Sequence, residues 1–264
     1  MTITAKVSFI NSILQPSLQD SHSFPISPSP LRMNTFFDIN SLSCRAVART
    51  TLVQTLNDFD SQLKDLGFLM WGKIQEEARA EVEQEPILSG YYYTSILSHK
   101  SLEKALAANL SAKLSNSVLP NSTLFEIFTS VLEQTSEIIL SVIADLKAVK
   151  TRDPACESYV HCFLQYKGFI ACQAHRVAHE LWRQERRSLA LLIQNRASEV
   201  LAVDIHPGAK VGKGILFDHA TGLVVGETAV IGDNVSILHN VTLGGNGKDC
   251  GDRHPKIGNG VLIG

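Results

Sequence analysis

Every sixth residue from Ile205 to Val241 is apolar: Ile205, Val211, Phe217, Leu223, Ala229, Val235 and Val241. A second register, offset by two, holds Val225, Ile231, Ile237 and Leu243. A period of six fits neither the 3.6 of a helix nor the 2 of an amphipathic strand. It fits a parallel β-helix, in which short strands stack coil upon coil and each coil buries its apolar residues against its neighbours. Gly208, Gly226, Gly232, Asp233 and Asn234 supply turns between the strands. The pattern is interrupted at 244–254, and Ile257 and Ile263 resume the step of six.

The residues before this stretch use a different alphabet. Of 17 glycines, only Gly67, Gly72, Gly90 and Gly168 precede residue 205. A segment that avoids the residue most costly to a helix interior reads as helical, and five to seven core-facing helices are expected across 45–200. Thr123 and Glu126 have the spacing of a capping box ahead of the apolar stretch 124–146. Phe163, Tyr166, Ile170, Ala174, Val177 and Leu181 step by three or four as one helical stripe, and Leu189, Leu192 and Val200 begin another. The expected organisation is a tail at 1–50, a helical domain at 51–203 and a β-helix from 204 to 264. The fold class is therefore α+β, an all-α N-terminal domain followed by a parallel β-helix.

Charge excludes some functions. Lys plus Arg is 24 against 26 for Asp plus Glu, so no broad basic face for nucleic acid is expected. No apolar run approaches the roughly 18 residues of a membrane span. Five cysteines, an odd number without a CxxC pair, suit a reducing compartment better than a disulfide framework or thiolate zinc cage. Residues 1–50 are rich in serine, poor in acid and dotted with Lys6, Arg32, Arg45 and Arg49. That is the composition of an organellar transit segment, or of an unstructured cytosolic tail.

Four histidines, His206, His219, His239 and His254, fall in the repeat half beside Asp204, Asp218 and Arg253. A β-helix does not demand histidine, so each is either a surface residue or part of a proton-transfer site near neutrality. The loop 244–254 is either a flexible protrusion or a closing arm whose arginine forks a carboxylate; it lacks the glycine spacing of a P-loop. Asp153 and Pro154 read as N-cap and first residue of a helix. His175 and His179, at i and i+4, could hold a metal, but no HExxH glutamate or third ligand accompanies them, and a structural role is expected.

Taken together, Asp204-Ile-His-Pro207, Gly214–Gly222 (containing Asp-His-Ala-Thr), Val225–Ile231, Val241–Gly245 and Gly251–Ile257 resemble the serine acetyltransferases. So do Arg152-Asp-Pro-Ala155 and Tyr166–Trp182, in the plant branch of that family. The resemblance runs from about Trp71 to Gly264. It implies a left-handed β-helix, trimers often paired into hexamers, and active sites between subunits. It implies acetyl transfer from acetyl-CoA to the hydroxyl of L-serine, the first committed step toward cysteine, with no permanently bound cofactor and no metal.

By position, the resemblance makes His219 the general base and Asp204 the carboxylate that orients it. It gives Arg253 and His254 to the serine carboxylate, Asp153 and Asp218 to the other polar contacts of serine, and Gly244 and Gly245 to the acetyl-CoA arm. Family members continue through further coils and a tail that docks into O-acetylserine sulfhydrylase. The chain stops at Gly264, so weak activity or none, and failure to co-purify with that partner, are expected. Two rivals are a non-catalytic subunit that modulates complete acetyltransferases, and a zinc β-helix enzyme of the carbonic anhydrase type. An intracellular location is expected, in the cytosol, or in a plastid or mitochondrion if residues 1–50 are a transit segment.

Overall fold

The last helix ends at Leu201 and the first strand begins at Val203. The turn between them is made by Ala202 in the left-handed conformation (φ 53°). The computed structural model describes residues 65–245, 247 and 251–264. Helices and coils lie in one compact unit, Ser61–Gly264. The tail at 1–50, with Cys44, lies outside the described residues, as does Cys250.

The helical part runs α1 (65–84), short helical turns across 86–97, α2 (Leu102–Leu114), α3 (Asn121–Gln134), α4 (Ser136–Arg152), α5 (Tyr159–Gln165), α6 (Lys167–Arg183) and α7 (Arg187–Leu201). Its boundaries differ from the sequence expectations in four places. First, α3 starts at Asn121 after Pro120, so Thr123 sits inside the first turn and no side chain caps the helix. Second, the apolar stretch 124–146 is two helices that meet at Thr135 at 95°. Third, the stripe from Phe163 to Leu181 is divided at Tyr166, whose extended backbone (ψ 103°) separates α5 from α6.

Fourth, α7 faces the core with Ala190, Ile193, Ala197 and Leu201, while Leu192 and Val200 stand exposed. Size alone favours leucine and valine for a buried face. The small side chains of Ala190 and Ala197 instead let α7 approach its neighbours closely. The segment 153–158 is a turn, not a helix. Asp153 is the C-cap of α4, its Oδ1 accepts the Ala155 N–H (2.9 Å), and Ser158 is the residue whose hydroxyl caps α5.

Among the described residues nine short strands follow: β1 (Val203–Ile205), β2 (Lys210–Val211), β3 (Leu216–Phe217), β4 (Leu223–Val225), β5 (Val230–Ile231), β6 (Ser236–Ile237), β7 (Thr242–Leu243), β8 (Lys256–Ile257) and β9 (Leu262–Ile263). They stack as three parallel sheets, β1-β4-β7, β2-β5-β8 and β3-β6-β9, the faces of a left-handed prism. Register explains the two apolar series. Val203, Ala209 and Ile215 are buried as one inward set, and Ile205 and Phe217 belong to the other.

Partners on the first two coils are 20 residues apart (Ile205↔Val225, Phe217↔Ile237), two more than three hexapeptides. The extra residues sit in one corner. Seven positions separate Phe217 from Val224, but five separate their partners Ile237 and Thr242. The series Ile205 to Val241 therefore crosses from one inward set to the other at 218–222. Seen from the sequence as one uninterrupted register, it conceals an insertion at the corner that carries Asp218 and His219.

A buried ion pair joins the two parts. Asp145 of α4 is 1% exposed and its Oδ2 accepts from Arg176 Nη2 (2.7 Å), Arg176 Nε (3.0 Å) and Gln173 Nε2 (3.0 Å). Its Oδ1 accepts the backbone N–H of Ile215 (2.8 Å), and Arg176 Nη2 also donates to the Gly212 carbonyl (2.7 Å). The carboxylate is thus satisfied from a helix and from the first coil at once. At Gly168, a Cβ would lie 1.9 Å from the Phe217 carbonyl oxygen, so α6 rests on β3 with no room for a side chain.

Candidate active site

The chemistry-bearing residues fall on two corners of the prism and on the face between them. Asp204, in the middle of β1 between buried Val203 and Ile205, points out from the β1-β4-β7 face. Its Oδ1 accepts a hydrogen bond from Gln194 Nε2 of α7 (2.6 Å).

The corner between β3 and β4 carries Asp218 and His219. His219 and Ala220 are consecutive non-glycine residues in the left-handed region (φ 53° and 56°), a backbone that costs of order 1–3 kcal/mol per residue and persists where surrounding structure enforces it. Here the enforcing bonds are Thr221 N–H to the His219 carbonyl (2.8 Å) and Gly222 N–H to the Ala202 carbonyl (2.8 Å), with Ala220 fully buried. The turn leaves the His219 side chain 80% exposed, Nε2 3.9 Å from Asp218 Oδ1. His239, one coil on, stands edge-on to the His219 ring at 6.2 Å.

Asp153 is tied to this corner through the start of α6. Tyr166 faces the Asp153 carboxylate, and burial together with that carboxylate pushes the phenol's ionisation up. The next residue, Lys167, donates to Thr221 Oγ1.

The corner between the first and second sheets carries His206, Glu227, Thr228, Arg253 and His254. Where six residues lead from Val225 to Ile231, the chain takes fourteen from Leu243 to Ile257. The returning arm is pinned by Thr228. Its Oγ1 accepts the backbone N–H groups of Arg253 (3.1 Å) and His254 (3.2 Å), so its proton is free for His254 Nδ1 at 2.8 Å. The Thr228 N–H also points at Nδ1 (3.2 Å). Nδ1 is therefore an acceptor, and the neutral ring presents Nε2–H as a donor. The ring lies over Gly226, where a Cβ would come within 1.9 Å of it, and beside Gly245, whose Cβ would be 3.1 Å from Nε2. Arg253 Nη2 meets Glu227 Oε2 at 3.2 Å. His206 packs edge-on against Trp182 (5.1 Å), and burial lowers its pKa despite nearby Glu227 and Asp204.

His175 is buried in the core beneath, and His179 is half-buried one turn further along α6. Burial depresses both, and His179 Nδ1 donates to the Pro207 carbonyl at 2.7 Å. Among the described residues no three His, Cys, Asp or Glu side chains come together as metal ligands.

Among the described residues the chain thus brings Asp218 to His219 and sets Arg253 beside His254, with the two pairs on opposite edges of one sheet.

Residues 70–174 match the family described as serine acetyltransferase, N-terminal. Serine acetyltransferase 1, chloroplastic, of Arabidopsis thaliana is 72% identical over 195 residues, covering 74% of this chain and 62% of that protein. Serine acetyltransferase 3, mitochondrial, of the same plant is 57% identical over 256 residues, 95% of this chain and 64% of that protein. A solved structure of soybean serine acetyltransferase complexed with serine superposes with a TM-score of 0.73 at 59% identity, covering 75% of this chain and 82% of that one.

The chain belongs to the serine acetyltransferase family. It spans 62% and 64% of the length of the two Arabidopsis relatives.

Sequence reasoning missed two residues that shape this family member's candidate site, Thr228 and Gln194. Neither residue type signals chemistry by itself. Thr228 could have been found from the arm's need for an anchor opposite Arg253 and His254.

Proposed function

We propose that the chain acetylates the hydroxyl of L-serine from acetyl-CoA, releasing O-acetyl-L-serine and CoA for cysteine synthesis. The observation that carries this reading is the His219 turn: an imidazole held out on a left-handed corner beside Asp218. A serine hydroxyl is a poor nucleophile until a base takes its proton during attack on the thioester carbonyl. His219 takes that proton and Asp204 steadies the imidazolium that forms. Arg253 and the Nε2–H of His254 hold the serine carboxylate, while Asp153 and Asp218 meet its ammonium group. Gly244 and Gly245, without side chains, let the acetyl-CoA arm approach the backbone.

The site is shared, one subunit giving Asp153, Asp204, Asp218 and His219 and its neighbour giving Arg253 and His254, in a trimer or a pair of trimers. O-acetylserine sulfhydrylase is the protein partner proposed. The composition of residues 1–50, with relatives named chloroplastic and mitochondrial, supports delivery to one of those organelles over the cytosol.

The test is release of CoA thiol from acetyl-CoA with and without L-serine. Serine-dependent release supports the reading; release that ignores serine, or none, contradicts it. Gly226→Ala probes the second corner. Its new methyl group must displace the His254 ring from Thr228, removing a donor to a charged substrate, an interaction worth about 1.5–3 kcal/mol. The expected outcome is a KM for serine raised roughly tenfold or more, with kcat less affected, read from initial rates at varied serine.

A further inference from the structure

We infer that Gln194 is a positioning residue that locks the Asp204 carboxylate, so that the helical domain sets the aim of the proton-transfer pair. The inference rests on the acetyltransferase reading of Asp204 and His219. Gln194 lies on α7 beside Ile193, one of four buried residues that fix this helix on the core. Its Nε2 donates to Asp204 Oδ1 at 2.6 Å, a charge-assisted bond. No other hydrogen bond reaches the Asp204 side chain among the described residues, so this single amide defines the carboxylate's rotation.

α7 also packs against β1 and α6, so anything that shifts the helix shifts the carboxylate with it. The other titratable group close to Asp204 is His206, two residues on and just past the end of β1, which itself faces Glu227 and Arg253.

The experiment compares Gln194→Ala, Gln194→Glu and Asp204→Asn in the whole chain by serine-dependent thiol release across pH, with melting temperatures alongside. Loss of aim by an ångström-scale displacement lowers rate by roughly ten- to a hundredfold. The expected result for Gln194→Ala is a kcat reduced by about that factor at an unchanged KM for serine. Gln194→Glu is expected to show a distinct pH signature. A protonated glutamic acid can still donate to Asp204, whereas an ionised one repels it. Its rate relative to the unsubstituted chain is therefore highest at the acid end and falls as pH rises.

Gln194 variants that match the unsubstituted chain while Asp204→Asn is impaired overturn the inference and leave the acetyltransferase reading standing. So does a Gln194→Ala loss matched by an equal loss in Gln194→Glu at every pH and by lowered melting temperatures, which marks a structural role. An unsubstituted chain without serine-dependent release overturns the acetyltransferase reading, and this inference with it.

Discussion

Replacing His219 by alanine is expected to lower serine-dependent thiol release by roughly 10²–10⁴, the usual contribution of a positioned general base. The fold should survive, because the side chain is 80% exposed and its contacts are a 3.9 Å approach to Asp218 and an edge-on stack with His239. The left-handed backbone at this residue could confound an alanine variant, since that conformation disfavours most side chains. His219→Asn controls for it: asparagine accepts φ near 53° but cannot act as a base near neutrality. Equal losses in both variants, with circular dichroism unchanged, place the effect on proton transfer. Retained activity in either variant removes His219 from that role.

The largest expected effect on stability comes from Asp145. Deleting one partner of a buried pair leaves the other charge uncompensated and typically costs about 3–5 kcal/mol. Asp145→Ala strips Arg176 of its counter-ion and also orphans the Ile215 N–H and the Gln173 amide. A domain of this size loses about 2–4 °C of melting temperature per kcal/mol, so a fall of roughly ten degrees or more is predicted.

Because Asp145 is shared between α6 and the first coil, the loss should appear as loosened coils as well as a lower midpoint. Hydrogen exchange at 211–217 reports that directly. A double variant, Asp145→Leu with Arg176→Met, removes both charges together and should be less destabilised than the sum of the single changes. Additive losses would show that the pair is not coupled, against the geometry.

Much of the architecture is legible in the residues because a β-helix repeats its demands. Inward positions must be aliphatic at every pass, so apolar residues recur at a fixed step, and glycine is concentrated after residue 205. What the period hides is the place where it fails. The two-residue insertion at 218–222 leaves a series that still looks regular, since both inward sets are aliphatic. The helical half is legible as helix but not in its breaks: Thr135 and Tyr166 interrupt apolar patterns that continue on either side.

At the candidate site, motif residues such as Asp204 and His219 are readable because they recur in fixed company. Asp145 and Arg176 are 31 positions apart with no pattern between them, and only packing brings them together. Gln194 is similarly silent, because glutamine on a helix is usually a solvated surface residue.

In the proposed function one active site is built from two subunits, His219 from one and Arg253 from the next. Chains carrying His219→Ala and chains carrying Arg253→Ala, each with little activity alone, can be mixed through unfolding and reassembly in equal amounts. In a ring of head-to-tail contacts, random assembly gives about one site in four with both wild-type corners. Recovery of roughly a quarter of the unsubstituted rate is the predicted result. Recovery no greater than the sum of the two variants alone would place each site within a single chain and contradict the account.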